Sequence, residues 1–163
     1  MIKHFAVVLP DIRSGFNVGA FFRTADGLGV DHVYLSGYTP YPPHKEISKT
    51  ALGADDFVEW TYYMETGDLL EYLKQEGYFF ISLEKIQGSK PLGKFEFQDQ
   101  EKICLILGNE IEGVSEDILK ISDEILEIEM KGRKESFNVS VAGSIAMYQL
   151  LLKGQKIGLF WKI

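Results

Sequence analysis

Short apolar runs alternate along the chain with stretches in which apolar residues return every three or four positions. Phe5-Ala6-Val7-Val8-Leu9 reads as a strand. Asn17 then reads as the N-cap of a helix that brings Phe21, Phe22, Ala25 and Leu28 to one face and closes at Gly29. His32-Val33-Tyr34-Leu35 is the next strand, Gly37-Tyr38-Thr39-Pro40-Tyr41-Pro42-Pro43 is turn chemistry, and extended structure resumes at Phe57-Val58-Glu59-Trp60. A helix over about 67–75 ends at Gly77 and leads into the strand Tyr78-Phe79-Phe80-Ile81-Ser82-Leu83. Strands at 103–107 and 124–128 follow, and a last helix runs over about 136–152. This alternation predicts βαβ units, hence an α/β fold with a mostly parallel sheet and helices on both faces.

The length of 163 residues and the 45% hydrophobic content fit one domain over 1–163. A domain of this size buries roughly 70% of its unfolded surface, enough for a real core. The apolar stretch before Pro10 is too short for the core of a signal peptide, and Asp11 and Arg13 follow at once. No later run approaches the roughly 20 apolar residues of a membrane span. The one cysteine, Cys104, lies inside an apolar strand pattern and reads as a buried thiol in a reducing compartment, which points to the cytoplasm. Three scattered histidines and a single cysteine give no metal site, so no catalytic metal is expected. A formal charge of −7 argues against a general nucleic-acid coat protein and leaves room for a local basic face.

Candidate chemistry concentrates late in the chain. The run Ile103-Cys104-Leu105-Ile106-Leu107 passes directly into Gly108-Asn109-Glu110-Ile111-Glu112-Gly113-Val114-Ser115. A second strand, Ile125-Leu126-Glu127-Ile128-Glu129-Met130, passes into Lys131-Gly132-Arg133-Lys134-Glu135-Ser136-Phe137-Asn138-Val139-Ser140-Val141-Ala142. Both are glycine-containing polar loops that open a helix, and in an open parallel sheet such loops meet beyond the carboxyl ends of the strands, where small ligands bind. A dinucleotide-binding fold is the first candidate, but the segment after the first strand, Asp11-Ile12-Arg13-Ser14-Gly15-Phe16-Asn17, has no Gly-x-Gly-x-x-Gly. A Gly-Lys-Ser/Thr phosphate loop is also missing.

Together with Asn17-Val18-Gly19-Ala20-Phe21-Phe22-Arg23-Thr24-Ala25, these loops form three spaced motifs. In that order they resemble the SpoU (TrmH-like) branch of the SPOUT superfamily, RNA 2′-O-ribose methyltransferases that use S-adenosylmethionine. The resemblance covers about 5–152. Two positions depart from the family's pattern: Glu129 stands where Pro is usual and Phe137 where Leu is usual, and both bear on the shape of an adenine pocket. The resemblance implies a C-terminal deep trefoil knot (the SPOUT fold), a topology otherwise almost absent from proteins. It also implies a homodimer, which the nearly all-round apolar last helix makes plausible independently.

The resemblance further implies a division of labour. Main-chain groups around Gly108, Ile128, Met130 and Phe137 would hold the cofactor, with Leu83, Asn109, Glu110, Gly113, Ser136 and Asn138 completing the pocket. Arg23, Asn17, Glu110, Ser136 and Asn138 would form the catalytic constellation. A guanidinium scarcely deprotonates, so Arg23 fits a role fixing a phosphate and stabilising alkoxide character. Asn17 either caps its helix, orients the Arg23 region, or does both; Ser136 is equally an N-cap or a site residue. Asn138 can reach a ribose or Asn17, and Glu110 can hold its loop by accepting main-chain hydrogens. Read from the residues themselves, Arg13, Arg23, Lys131, Arg133 and Lys134, with His44, Lys45 and Lys49 in the loop after Pro43, form a basic rim for RNA if they converge at the strand ends, and are otherwise solvated charges; Tyr38 and Tyr41 either stack on a base or simply pack. The function so implied is methyl transfer to a ribose 2′-hydroxyl of structured RNA, tRNA favoured over rRNA. The contrasting class is a non-catalytic knotted module that binds RNA or S-adenosylmethionine.

Overall fold

Seven strands form one sheet in the computed structural model, which describes residues 1–155. Residues 156–163 of the expected domain lie outside the described residues. In chain order the strands are β1 (His4–Pro10), β2 (His32–Ser36), β3 (Trp60–Tyr63), β4 (Phe79–Leu83), β5 (Lys90–Pro91), β6 (Lys102–Leu107) and β7 (Glu124–Glu127). Their spatial order is β3-β2-β1-β6-β4-β7-β5, and every pairing between them is parallel. The helices are α1 (Gly15–Leu28), α2 (Lys45–Ala51), α3 (Thr66–Gln75), α4 (Glu116–Ile121) and α5 (Val139–Lys153).

Strand alternation divides the core in two. Phe5, Val7 and Leu9 of β1 and Ile103, Leu105 and Leu107 of β6 pack with α1, α2 and α5 on one face. Ala6, Val8, Cys104 and Ile106 pack with Leu69, Leu70 and Leu73 of α3 and Ile118 of α4 on the other. The register Val7↔Leu105 and Val8↔Ile106 aligns the two strands so that each face is continuous. Cys104 is fully buried, and burial pushes its thiol well above the ordinary range, so it is inert packing. No helix of the described residues is long and apolar enough to cross a membrane.

Local signals hold at some ends and fail at others. Gly29 closes α1 as expected, in the left-handed conformation at φ 66° with its amide on the carbonyls of Ala25 and Asp26. The start differs: α1 is capped by Ser14, whose Oγ accepts from the Asn17 amide at 3.2 Å, so Asn17 sits inside the first turn and is not the cap. Likewise α5 begins at Val139, capped by Asn138, and Ser136 lies ahead of the helix as an exposed residue. Lys45 and Lys49 belong to α2, not to an open loop; His44 caps this helix by accepting from the Glu46 amide. Phe57 is not extended: it closes a 3-10 turn over Ala54–Asp56 and is 79% exposed, and β3 starts only at Trp60.

Candidate functional site

The loop after β6 is built by close backbone approach. A Cβ on Gly108 would stand 2.3 Å from the Gly113 carbonyl carbon and 2.4 Å from the Val114 nitrogen, so only glycine fits. Asn109 and Gly113 exchange backbone hydrogen bonds at 3.2 and 3.1 Å, closing the loop into a strap. The Asn109 Oδ1 accepts from the amides of Ile111 and Glu112 inside it, at 2.9 and 2.7 Å. Gly113 takes φ 70°, and the Glu84 carboxylate lies where a Cβ would point while accepting from the Val114 amide at 2.8 Å. Glu84 thereby fastens the strap to the end of β4.

Beside this strap is a cleft of about 430 Å³. Leu83 and Glu84 come from the end of β4; Gly108, Asn109, Glu110 and Gly113 from the strap; Ile128 and Met130 from beyond β7; Ser136, Phe137 and Asn138 from the approach to α5. Every residue assigned above to cofactor binding lines it. Leu107, Glu127, Val139 and Ala142 also line it, as do Lys85 and Glu135. These positions lie one to four residues from the assigned ones, on the same strand ends and the same helix start, where ligands gather beyond the carboxyl ends of parallel strands. Of the two departures from the family's pattern, Phe137 lines the cleft, whereas Glu129 does not and pairs with Lys131 at 3.5 Å.

A hydrogen-bonded chain crosses the mouth. Asn138 Nδ2 donates to Asn17 Oδ1 at 3.2 Å, and Asn17 Nδ2 donates to Glu110 Oε1 at 3.0 Å. Glu110 Oε2 accepts from the Arg13 amide at 3.2 Å. Partial burial pushes the Glu110 carboxyl up, but hydrogen bonds from its own amide, the Asn17 side chain and the amides of Arg13 and Ser14 together outweigh it and hold the group below the usual glutamate range. Asn17, which is 93 residues from Glu110 and 121 from Asn138, thus joins both in one unit. Ser136 lies on the cleft wall.

Arg23 is not brought into this cleft. It is exposed on α1, and among the described residues it has no hydrogen-bonded or ion-paired partner. Its helix packs on α5, where Gly143 meets the Phe21 ring and Thr24 and Ser144 hydroxyls lie 3.0 Å apart. The α2 helix packs on the opposite flank of α1: Gly19 abuts the Ile47 carbonyl, and Thr50 Oγ1 donates to the Phe16 carbonyl at 2.8 Å. Lys45, Lys49 and Arg13 are exposed beside the start of α1, and Lys131, Arg133 and Lys134 are exposed along the irregular segment 131–138. The Lys49 ammonium lies 5.9 Å from the centre of the Phe16 ring. Tyr41 packs against Trp60 and Tyr62, with ring centres 6.1 and 4.4 Å away, while Tyr38 is 58% exposed.

Comparison with known proteins places these features in a wider group. The profile of the SpoU rRNA Methylase family matches residues 4–148. The chain is 25% identical over 154 residues to the tRNA (guanosine(18)-2′-O)-methyltransferase of Escherichia coli (strain K12), covering 94% of this chain and 66% of that protein. It is 31% identical over 146 residues to an uncharacterized tRNA/rRNA methyltransferase of Borreliella burgdorferi, covering 90% and 63%. It therefore spans about two thirds of the length of the curated relatives it matches. The crystal structure of an AdoMet-bound rRNA methyltransferase from Sinorhizobium meliloti superposes with a TM-score of 0.85 at 22% identity, over 93% of this chain and 57% of that one.

Proposed function

We propose, from the premise that this chain belongs to the SpoU rRNA Methylase family, that it uses S-adenosylmethionine to methylate a ribose 2′-hydroxyl of structured RNA, with tRNA favoured over rRNA. The observation that carries the reading is the Glu110–Asn17–Asn138 chain at the mouth of a cleft suited to the cofactor. Leu83, Leu107, Ile128, Met130 and Phe137 offer apolar walls to an adenine ring, and Gly108 lets backbone donors and acceptors come close. Glu84, Glu110, Glu127 and Glu135 outnumber Lys85 around the cleft, a balance that favours a cationic ligand. When bound, S-adenosylmethionine supplies a methyl already activated on a sulfonium, and the protein's task is positioning and charge stabilisation. The name of the Escherichia coli relative supports the ribose 2′-oxygen and tRNA.

Within this reading Glu110, held ionised, fixes the strap and the side-chain carboxamide of Asn17. Asn138 and Ser136 face the acceptor sugar, and Arg23 grips an RNA phosphate and stabilises negative charge growing on the 2′-oxygen. Arg23 lies outside its own cleft, so the reading includes a homodimer in which α1 of one copy borders the cleft of the other. Val141, Ile145 and Tyr148 support it: they recur at helical spacing on α5, 46, 37 and 37% exposed, beside the junction with α1. The reading also includes one domain over 1–163, a C-terminal trefoil knot bordering the cleft, a cytoplasmic setting, no metal, and RNA held by Arg13, Lys45, Lys49, Lys131, Arg133 and Lys134.

Single-turnover methyl transfer to unmodified tRNA and rRNA, with mass-spectrometric mapping of the product, tests the proposal. Arg23→Ala should slow transfer by at least about 100-fold, the scale of one preorganised electrostatic donor, while cofactor affinity measured by calorimetry barely changes. Near-normal turnover in Arg23→Ala would overturn the role given to it. The net charge of −7 favours a second reading, a binding module, and cofactor binding without turnover on either RNA would move the assignment there.

A further inference from the structure

A second and larger cavity, about 610 Å³, opens on the opposite face of the sheet, between α3 and α4 and beneath the same strap. Leu70, Ile118, Ile121 and Pro10 give it an apolar lining; Leu70 and Ile118 belong to the core, whereas Ile121 is 44% exposed. Four carboxylates border it, each from a different element: Asp11 after β1, Glu71 on α3, Glu112 in the strap and Asp117 on α4. Lys74 is the cation among the lining residues, and its ammonium is already held by both oxygens of Asp123 at 3.1 Å. The Asp117–Lys120 pair, 3.6 Å apart with the carboxylate 95% exposed, does little to cancel the field. Asp11 is rigidly placed: its carboxylate packs on Gly37 and accepts from the Tyr38 amide at 3.0 Å.

Carboxylates from four elements bordering an apolar hollow disfavour RNA phosphates and other anions there. A neutral apolar ligand would cover these charges without compensating them, which costs solvation. A cation with an aliphatic body satisfies both features. We propose that this cavity binds a small linear polyamine, its methylenes against Leu70, Ile118 and Ile121 and its ammonium groups shared among Glu71, Asp117, Glu112 and Asp11.

The cavity is joined to the candidate active cleft by construction. Asn109 and Gly113 line both, and their reciprocal backbone bridge is the partition. Glu112 hangs from that partition through its amide on Asn109 Oδ1. An amine that ties Glu112 to Asp117 holds the strap in the shape that walls the cofactor cleft, so polyamine and S-adenosylmethionine should alter each other's affinity by the same factor. That coupling rests on the cofactor reading above; polyamine binding itself does not.

Calorimetry with spermine at about 0.15 M salt, where long-range attraction to an acidic protein is screened, tests the site. One saturable site is expected, and Glu71→Gln combined with Asp117→Asn should weaken it by at least about 10-fold. Asp26→Asn combined with Asp56→Asn removes the same charge from exposed positions on elements that pack against the other face, and should leave the affinity within about twofold. Ile121→Arg, which places a guanidinium in the cavity, should abolish binding. Non-saturable binding, or equal weakening by the two double variants, would mean general condensation on an acidic surface and would overturn the proposal. Spermine binding with an unchanged S-adenosylmethionine affinity would overturn the coupling, and spermine binding by a protein that takes up no S-adenosylmethionine would leave the site standing while removing the cofactor reading.

Discussion

Replacing Gly108 by alanine adds one methyl at a position of the candidate site hemmed in by main-chain atoms. The new Cβ would lie 2.3, 2.4 and 2.7 Å from the Gly113 carbonyl carbon, the Val114 nitrogen and the Gly113 Cα, where ordinary contact begins at 3.4 Å. All three are main-chain atoms, so no side-chain rotation relieves the overlap, and the Gly113–Val114 peptide must retreat by about 1 Å. Retreat is resisted by the Asn109–Gly113 bridge, the Val114 amide on Glu84 at 2.8 Å, and a Val114 side chain only 5% exposed. Overpacking of this kind costs about 1–3 kcal/mol. At roughly 2–4 °C per kcal/mol for a chain of this size, the melting temperature should fall by roughly 2–12 °C. Because Asn109, Glu110 and Gly113 all shift with the strap, S-adenosylmethionine affinity should drop at least about 10-fold, the displacement being one that binding geometry does not tolerate. Gly132→Ala is the matched control, since nothing lies within 4 Å of its added methyl. Scanning calorimetry and titration calorimetry on both variants decide the matter: a Gly108→Ala protein with the wild-type melting temperature and cofactor affinity would refute the reasoning.

Asn17→Ala removes one of the hydrogen bonds that depress Glu110, so the carboxyl should titrate higher in a carbon-13 NMR experiment; an unmoved midpoint would dismiss Asn17 as its partner. Ile145→Asp places a charge in the exposed apolar stripe of α5 and should convert a dimer to a monomer in light scattering at micromolar concentration, while a wild-type monomer would remove the shared site. His32 is depressed by burial and then by His4, so the unfolded chain takes up its proton first. Its contribution is complete above the ordinary value of 6.5 and is lost as pH falls toward the lower folded value. The urea midpoint should therefore be lower at pH 5.5 than at pH 7.5, with a smaller difference in His32→Asn; an equal difference would assign the pH dependence elsewhere.

Strands and the ligand cleft were legible from sequence for the same reason. A parallel sheet buried on both faces requires unbroken apolar runs, and the loops that leave their carboxyl ends have nowhere else to meet. Helix α2 was not legible, because its only buried side chains are Ile47 and Ala51 and its stability comes from packing against Gly19 of α1, a tertiary contact. The two-residue strand β5 has too few positions to show a period. The caps were misplaced because Ser14 and Asn17, like Ser136 and Asn138, are equally able acceptors. What decides between Ser14 and Asn17 is which residue takes the extended backbone before the helix, and the fold sets that. Arg23 shows the limit of motif reading: a motif names a residue but says nothing of which surface, or which copy, it serves.

The misplaced caps have a chemical consequence. Because Ser14 caps α1, the Asn17 carboxamide is free, and it spans from Glu110 to Asn138. Because Asn138 caps α5, its Oδ1 is occupied by the amides of Ser140 and Val141, at 2.9 and 3.4 Å, and by the Ser140 hydroxyl at 2.6 Å. Only its Nδ2 remains, so it must donate, and Asn17 must receive on Oδ1 and donate from its Nδ2 to Glu110. The polarity of the chain is thereby set at both ends, by a helix cap on one side and an ionised carboxylate on the other, and each bond strengthens the next. Three segments distant in sequence hold a single arrangement across an open cleft with no core of their own there. The cap that starts α5 and the donor that anchors the chain at the cleft are one side chain, so the fold of the last helix and the geometry of the cleft are set by the same bonds.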